Sequence, residues 1–400
     1  MSAPGTHAQT LRAQTLPPLS LYVHIPWCVR KCPYCDFNSH AQNGELPERA
    51  YVDALLRDLD AEIQHVDAQR ALASIFIGGG TPSLFSPTAI ARLLNGVAAR
   101  IPLAEHAEIT LEANPGTVDE AHFRGFREAG VNRLSIGVQS FNAGMLQRLG
   151  RIHDSRQAAA AIDVGQAAGF ERINVDLMHG LPEQTSAGAA LDLQTALATG
   201  ITHLSWYQLT IEANTQFHTA PPQLPDEDTL ARIEDTGMAV LGTAGFEQYE
   251  VSAWSAHGAA SAHNLNYWRF GDYIGIGAGA HAKLSRFDDD EMVITRYQKT
   301  RKPEDYLADQ QRRQAHTLSE PTRAFEFMLN ALRLRDGVPS SLFQTHTGLS
   351  HDAIAEPLAR LRARNLMRTD RLATTALGYR FLDSVVTEFL PAAQAHQLRR

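Results

Sequence analysis

The sequence predicts an α/β fold: six parallel strands alternating with helices, then a small winged-helix-like α+β domain after about residue 300. Three observations predict it. Short apolar runs alternate with stretches of helical periodicity, glycines fall just past the helical stretches, and polar residues of unusual type gather at the ends of the apolar runs.

The candidate strands are Leu19–Ile25, Ser74–Ile77, Glu108–Glu112, Arg133–Val138, Arg172–Asp176 and His203–Leu209. Between the first two, residues 48–65 place Val52, Leu55, Leu59 and Ile63 on one helical face. A helix over 86–101 opens with Ser86 as cap and Pro87 in its first turn. The next, 118–129, has Thr117 as its expected cap, Asp119 and Glu120 in the first turn and Gly130 past its end. Helices at 155–168 and 185–198 stop before Gly169 and Gly200. Alternation of this kind gives a parallel sheet with right-handed crossovers, either doubly wound or curled into a partial barrel.

Placement of the unusual residues favours the barrel. Cysteines follow the first strand, Gly78-Gly79-Gly80-Thr81 the second, and Glu112 ends the third. Gln139 follows the fourth, Asp176 closes the fifth, and Tyr207 lies near the end of the sixth. In parallel barrels the loops at the carboxyl ends converge on one mouth, where functional groups collect.

Residues 1–17 are polar up to Pro17-Pro18 and read as a flexible leader, with the barrel over 18–290 and the C-terminal domain over 300–400. In that domain, helical patterns at 321–335 and 352–366 run into a hairpin-like segment. Winged modules often bind DNA, yet Arg333, Arg335, Arg360, Arg362 and Arg364 are balanced by scattered acids and read as solvated helix faces.

Lys plus Arg is 36 against 44 Asp plus Glu, a net −8, which argues against a nucleic-acid partner. A charged fraction of 20% with 44% hydrophobic residues excludes a wholly disordered chain. No apolar run is long enough for an integral membrane segment, and the first residues lack the parts of a signal peptide, so a cytoplasmic location is expected.

All three cysteines, Cys28, Cys32 and Cys35, fall in one loop. Cysteines serving as small core hydrophobes would be dispersed. An odd, clustered set is a poor disulfide framework and reads as a metal or cluster site. Three thiolates on a four-iron cubane leave one iron open to another ligand. Zinc usually takes four ligands, and no second cysteine pair exists, although His24, Asp36 or His40 could complete such a site.

The string Tyr22-Val-His-Ile-Pro-Trp-Cys28-Val-Arg-Lys-Cys32-Pro-Tyr-Cys35-Asp-Phe37 resembles the radical S-adenosylmethionine (SAM) superfamily. It is most similar to the branch of oxygen-independent coproporphyrinogen III oxidases and their haem-chaperone relatives, and the resemblance runs from about residue 19 into the C-terminal domain. It implies a partial (βα)6 radical-SAM barrel with a [4Fe–4S] cluster on Cys28, Cys32 and Cys35, the open iron chelated by SAM. It also implies that Tyr22, Tyr34, Gly79, Gly80, Thr81 and Glu112 lie around that SAM. The glycine strip is expected to bring backbone N–H groups up to the ligand's carboxylate. Gln139, Arg151 and Asp176, with Thr210 beside them, match positions that hold a second SAM in the oxidases.

Two features divide the branch. The oxidases carry a further cysteine two residues after the third ligand, where this chain has Phe37. His263-Asn264-Leu265-Asn266-Tyr267-Trp268 matches the haem chaperones' signature, which makes His263 a candidate iron ligand, with Tyr267, Trp268 and Phe270 as flat apolar surface. The leading expectation is therefore a haem chaperone that delivers haem to a client protein. The client could be a respiratory one reached peripherally at the inner membrane, and the resemblance allows a homodimer. The alternatives are the oxidase itself, by radical oxidative decarboxylation, and a radical SAM methyltransferase or cyclopropanase of the same branch.

Overall fold

A computed structural model describes residues 15–391. Of the expected leader, residues 1–14 lie outside the described residues. The six expected strands are β1 (Leu19–Ile25), β2 (Leu72–Gly79), β3 (Leu103–Ala113), β4 (Arg133–Gln139), β5 (Ile173–His179) and β6 (His203–Gln208). They are hydrogen-bonded in sequence order, each parallel to the next. Strand order that never reverses puts every right-handed crossover on the same side of the sheet, so the sheet curls instead of being doubly wound.

The crossover helices begin where short polar side chains can take up free N–H groups. In α1 (Glu48–Glu62) the apolar stripe holds, with Val52, Leu55 and Leu59 fully buried. Ser86 caps α2 (Pro87–Ala98) by accepting the Ala89 N–H, as expected. Helix α3 is shorter than predicted, Glu120–Glu128, and its cap is Asp119, not Thr117. Asp119 accepts the His122 N–H at 2.9 Å, whereas the Thr117 hydroxyl is turned back onto the Asn114 carbonyl. Helices α4 (Ser155–Ala167) and α5 (Ser186–Ala198) follow, capped by Asp154 and Thr185.

Alternation along the strands separates two environments. Leu21, Val23, Ile75, Ile77, Ile109, Leu111, Leu134, Ile136, Val175 and Leu204 join the helices in the main apolar core. The intervening residues, among them Thr110, Glu112, Ser135, Asn174, Asp176 and Ser205, line a cavity on the other face.

The barrel does not close on itself. β1 pairs on its outer side with a further parallel strand, Asp272–Ile276, and β6 pairs with an antiparallel one, Ala253–Ser255. Strands 281–288, 291–299 and 313–317 on one side and Glu247–Glu250 on the other extend the same sheet to twelve strands among the described residues. The sheet thus passes the boundary expected at 290. Helices Glu320–Ala331, Ser341–Thr347 and Asp352–Ala363 gather around a second apolar core, and isolated bridges Val338 to Leu372 and Met367 to Thr374 stand where the hairpin was predicted.

Candidate functional site

The carboxyl ends of β1–β6 open onto a cavity of about 530 Å³. Cys28, Cys32, Tyr34, Cys35, Gly79, Gly80, Thr81, Glu112, Gln139, Arg151, Asp176 and Thr210 all line it. Twelve of the fourteen residues expected at the site are therefore brought together. Tyr22 and His263 are not.

The cysteine loop is fastened at its start. Gly80 and Thr81 donate their N–H groups to the carbonyls of Ile25 and Trp27, and Gln42 N–H reaches the Cys28 carbonyl. A Cβ on Gly80 would stand 2.5 Å from the Trp27 carbonyl oxygen, and one on Gly79, whose φ is +120°, 2.7 Å from the His24 ring. Glycine is thus required here for close packing of the strip against the loop. The third N–H, that of Gly79, is taken by Glu112 Oε2 at 3.0 Å. The expectation that these N–H groups meet a ligand carboxylate is therefore corrected: all three are already used.

Tyr22 has a different part from the one expected. Its hydroxyl lies 2.8 Å from His24 Nδ1, while His24 Nε2 contacts the Asn38 carbonyl at 2.9 Å. A carbonyl only accepts, so Nε2 carries the hydrogen and Nδ1 accepts from Tyr22. Burial holds His24 down to about 4, so the ring is neutral. Asn38 in turn donates to the carbonyls of Ala278 and Arg301. Tyr22 thus braces the loop from below the mouth.

The three thiols are partly exposed. Burial pushes the Cys28 and Cys35 thiols up. The Ser39 hydroxyl, 3.6 Å from Cys35 Sγ, opposes this at both, and separately Arg151 Nη1 donates a hydrogen bond to Cys32 Sγ at 3.6 Å. Among the described residues no three His, Cys, Asp or Glu side chains converge on one ion-sized point. A zinc ion requires such convergence, whereas a cubane holds its thiolates apart at separate corners. The donor set fits the cluster.

Across the mouth from the thiols stand two buried carboxyl groups. Burial, with the Asp176 carboxylate nearby, pushes Glu112 up to about 8. Burial also raises Asp176, against hydrogen bonds from Asn174 Nδ2 at 2.8 Å and Ser135 Oγ at 3.1 Å. Asp176 was expected to close its strand; β5 instead runs on to His179, and the side chain projects inward from mid-strand. Gln139 ends β4 at a register shift with φ +69°, a left-handed backbone that a non-glycine residue adopts at a cost of about 1 kcal/mol or more. Its side-chain oxygen accepts from the Tyr207 hydroxyl at 2.8 Å. Arg151 also donates to the Gly137 carbonyl at 2.6 Å, leaving Nε buried without a partner. The Thr210 hydroxyl donates to Glu212 at 2.8 Å.

On the lip beside the cysteines, Val29, Phe37 and Ile152 are 48%, 60% and 39% exposed. Large apolar side chains so exposed around one cavity are an unusual use of surface.

His263 lies at the opposite, amino end of the strands. The helix Ala262–Trp268 sits against the barrel floor, its cap Ser261 bonded to Glu108, His263 Nδ1 2.9 Å from the Ser74 hydroxyl, and Asn266 donating to Ser20. The imidazole is 3% exposed, between the rings of Phe76 and Tyr267 at 5.0 Å each. Phe270 belongs to the second core, and the ring of Trp268 is covered by the Arg333 guanidinium at 4.2 Å. The signature is here a floor plug: Asn264 lines the cavity from below, whereas His263 does not. Sequence reasoning missed the layer beneath the mouth, namely Thr110, Arg133, Ser135, Asn174, His203 and Ser205. Their signal was available as polar residues two apart along strands whose other face is apolar.

Residues 22–190 match the model of the Radical SAM superfamily, and residues 318–381 that of the HemN C-terminal domain. The chain is similar to "Heme chaperone HemW" of Haemophilus influenzae, with 48% identity over 94% of this chain and 98% of that protein. Against "Heme chaperone HemW" of Escherichia coli it is 49% identical over 94% and 99%. Among solved structures, coproporphyrinogen III oxidase (HemN) from Escherichia coli, a radical SAM enzyme, superposes with a TM-score of 0.78 over 94% of this chain and 91% of that one, at 23% identity. That likeness bears on the fold.

Proposed function

This chain belongs to the HemW family of heme chaperones within the radical SAM superfamily, and from that premise we propose that it binds haem at the barrel mouth and passes it to a client protein. Radical SAM membership brings a [4Fe–4S] cluster and SAM. Cys28, Cys32 and Cys35 would hold the cluster, which supplies, when bound, an open iron for SAM and an electron for its sulfonium. Ser39 offers a hydrogen bond to Cys35 and Arg151 one to Cys32, so each of these sulfurs has a donor beside it. Glu112 and Asp176, both raised by burial and Glu112 also by the Asp176 charge, would gain their charge against a cationic ligand, which is what such a wall suits. With its N–H groups engaged, the glycine strip has only carbonyls to offer, which complement an ammonium.

One observation carries the haem reading: the exposed apolar lip of Val29, Phe37 and Ile152 on the same cavity as the thiols. A flat macrocycle gains from apolar contact of this kind, at about 25 cal/mol per Å² covered. Phe37 has no sulfur to contribute, so radical decarboxylation that relies on a fourth thiol is less supported. The surroundings of His263 support a structural part for it. Among the described residues no helix is long and apolar enough to cross a membrane. The test is anaerobic cluster reconstitution followed by two assays. Haemin titration should give a stoichiometric Soret shift, and coproporphyrinogen III with SAM and reductant should give no protoporphyrinogen. Turnover without haem binding would reject the reading.

A further inference from the structure

Below the cofactor residues the cavity reaches a layer with no assigned task. Arg133 opens β4, four residues before Gly137, which is the register partner of Asp176. At strand rise its backbone lies about 13 Å below that of Gly137. Its side chain is 2% exposed and lines the cavity. Nη1 donates to Glu108 Oε2 at 3.3 Å and to the Ala259 carbonyl at 3.2 Å, but Nη2 is buried with no partner. Thr110, the register partner of Arg133 on β3, also lines the cavity, and its hydroxyl is likewise buried with no partner. Two adjacent unpartnered donors in one buried layer are costly, at about 1–3 kcal/mol each, unless a ligand or water meets them.

The charges say what kind of ligand. Glu108 is shared by the buried Arg133 at 3.3 Å and by Arg172, 42% exposed, at 3.5 Å, so this carboxylate is not given to Arg133 alone. The other Glu108 oxygen is filled by Ser261 and the His263 N–H. His203, the nearby ring, has both nitrogens bonded, to Asn174 and to the Tyr249 hydroxyl. A single negative charge with two oxygens matches this set, since a guanidinium edge and a hydroxyl can each donate to one oxygen. A dianion such as phosphate would carry a second charge past Glu112 and Asp176.

We propose that Arg133 and Thr110 form a carboxylate-binding subsite in the barrel floor, reached through the mouth and separate from the cluster loop. The carboxylate could be that of a small free acid or an acid arm of a macrocycle lodged above, and two arms of one experiment distinguish these sources. The full-length reconstituted protein is titrated calorimetrically with propionate, and in parallel with haemin and haemin dimethyl ester. Thr110→Val removes the free hydroxyl without touching the ion pair, and Arg133→Lys keeps the charge opposite Glu108 but loses the fork. Propionate binding that weakens at least tenfold in both variants supports the subsite for a free acid. A tenfold preference for haemin over its diester that vanishes in both supports it for the acid arm. Should haemin and diester both fail to bind, the haem reading falls and the propionate arm still decides this one. If neither propionate affinity nor diester discrimination depends on Thr110 and Arg133, the layer holds water only and the proposal is overturned; should Arg133→Lys not fold, Thr110→Val decides.

Discussion

The Glu112 carboxylate accepts the backbone N–H of Gly79 at 3.0 Å, which ties the end of the third strand to the glycine strip of the second. It does so while being pushed up to about 8 by burial and by Asp176, from an ordinary 4.5. The folded chain therefore holds this proton more tightly than the unfolded one. Stabilisation from the group is complete below about pH 4.5 and is lost as pH rises through about 8. Glu112→Gln keeps an acceptor for Gly79 with no charge to bury. We expect the variant to match the parent near pH 4 and to exceed it above about pH 8, by about 2–3 kcal/mol after allowance for solvent reaching the cavity. Urea unfolding across that range measures the difference; a flat difference would contradict a strained carboxylate here.

Phe37 offers the sharpest test of the apolar lip. At 60% exposed it contributes little to folding, so Phe37→Asp should change unfolding free energy by no more than about 0.5 kcal/mol. If the ring covers a macrocycle, the same change should weaken haemin binding about tenfold, equivalent to about 1.4 kcal/mol. Soret titration of parent and variant reads this out, and equal affinities would move haem away from the lip.

His263 should behave as a floor residue. His263→Ala removes the bond to Ser74 and leaves a void between Phe76 and Tyr267, at a cost of about 2–4 kcal/mol in unfolding free energy. The Soret maximum of the haemin complex should stay where it is in the parent. A displaced band in a variant that still folds would return the imidazole to the iron, and would mean that the plug helix leaves the floor when haem arrives.

What the chain betrayed in advance was whatever local pattern controls. The first strand was read at its true ends because an apolar run bounded by Pro18 and Pro26 admits little else. The cysteine loop and its glycine partner were legible because few chemistries use three clustered thiols. The place of His263 is not legible for a physical reason: aromatic neighbours in sequence mark apolar surroundings, but not which end of a barrel they fill. Tyr22 and Gly79 were assigned to the ligand because a hydroxyl or an N–H reads the same in sequence whether it is free or already bonded. That the sheet runs past residue 290 is not legible locally, because strands 281–288, 291–299 and 313–317 add in turn to Asp272–Ile276, whose own partner is the first strand, about 250 residues away.

Lys299 shows the strength of that distant attachment. It ends a strand beyond the expected boundary, yet its ammonium is fully buried against the first helix, 2.5 Å from Asp58 and 2.6 Å from Glu62. Arg313, from the last strand of the sheet, also pairs with Glu62, at 2.5 Å. Removing one partner from such a set leaves the others' charge buried without compensation, which costs about 3–5 kcal/mol. Lys299→Met should therefore destabilise the whole barrel by about that amount, and a truncation at residue 290 should be worse, since it removes Lys299 and Arg313 together. Chemical denaturation followed in parallel by Trp fluorescence and by loss of the reconstituted cluster should show one shared transition, shifted in Lys299→Met. Two separate transitions, with the cluster signal unaffected by Lys299→Met, would instead make the strands after 290 a domain of their own.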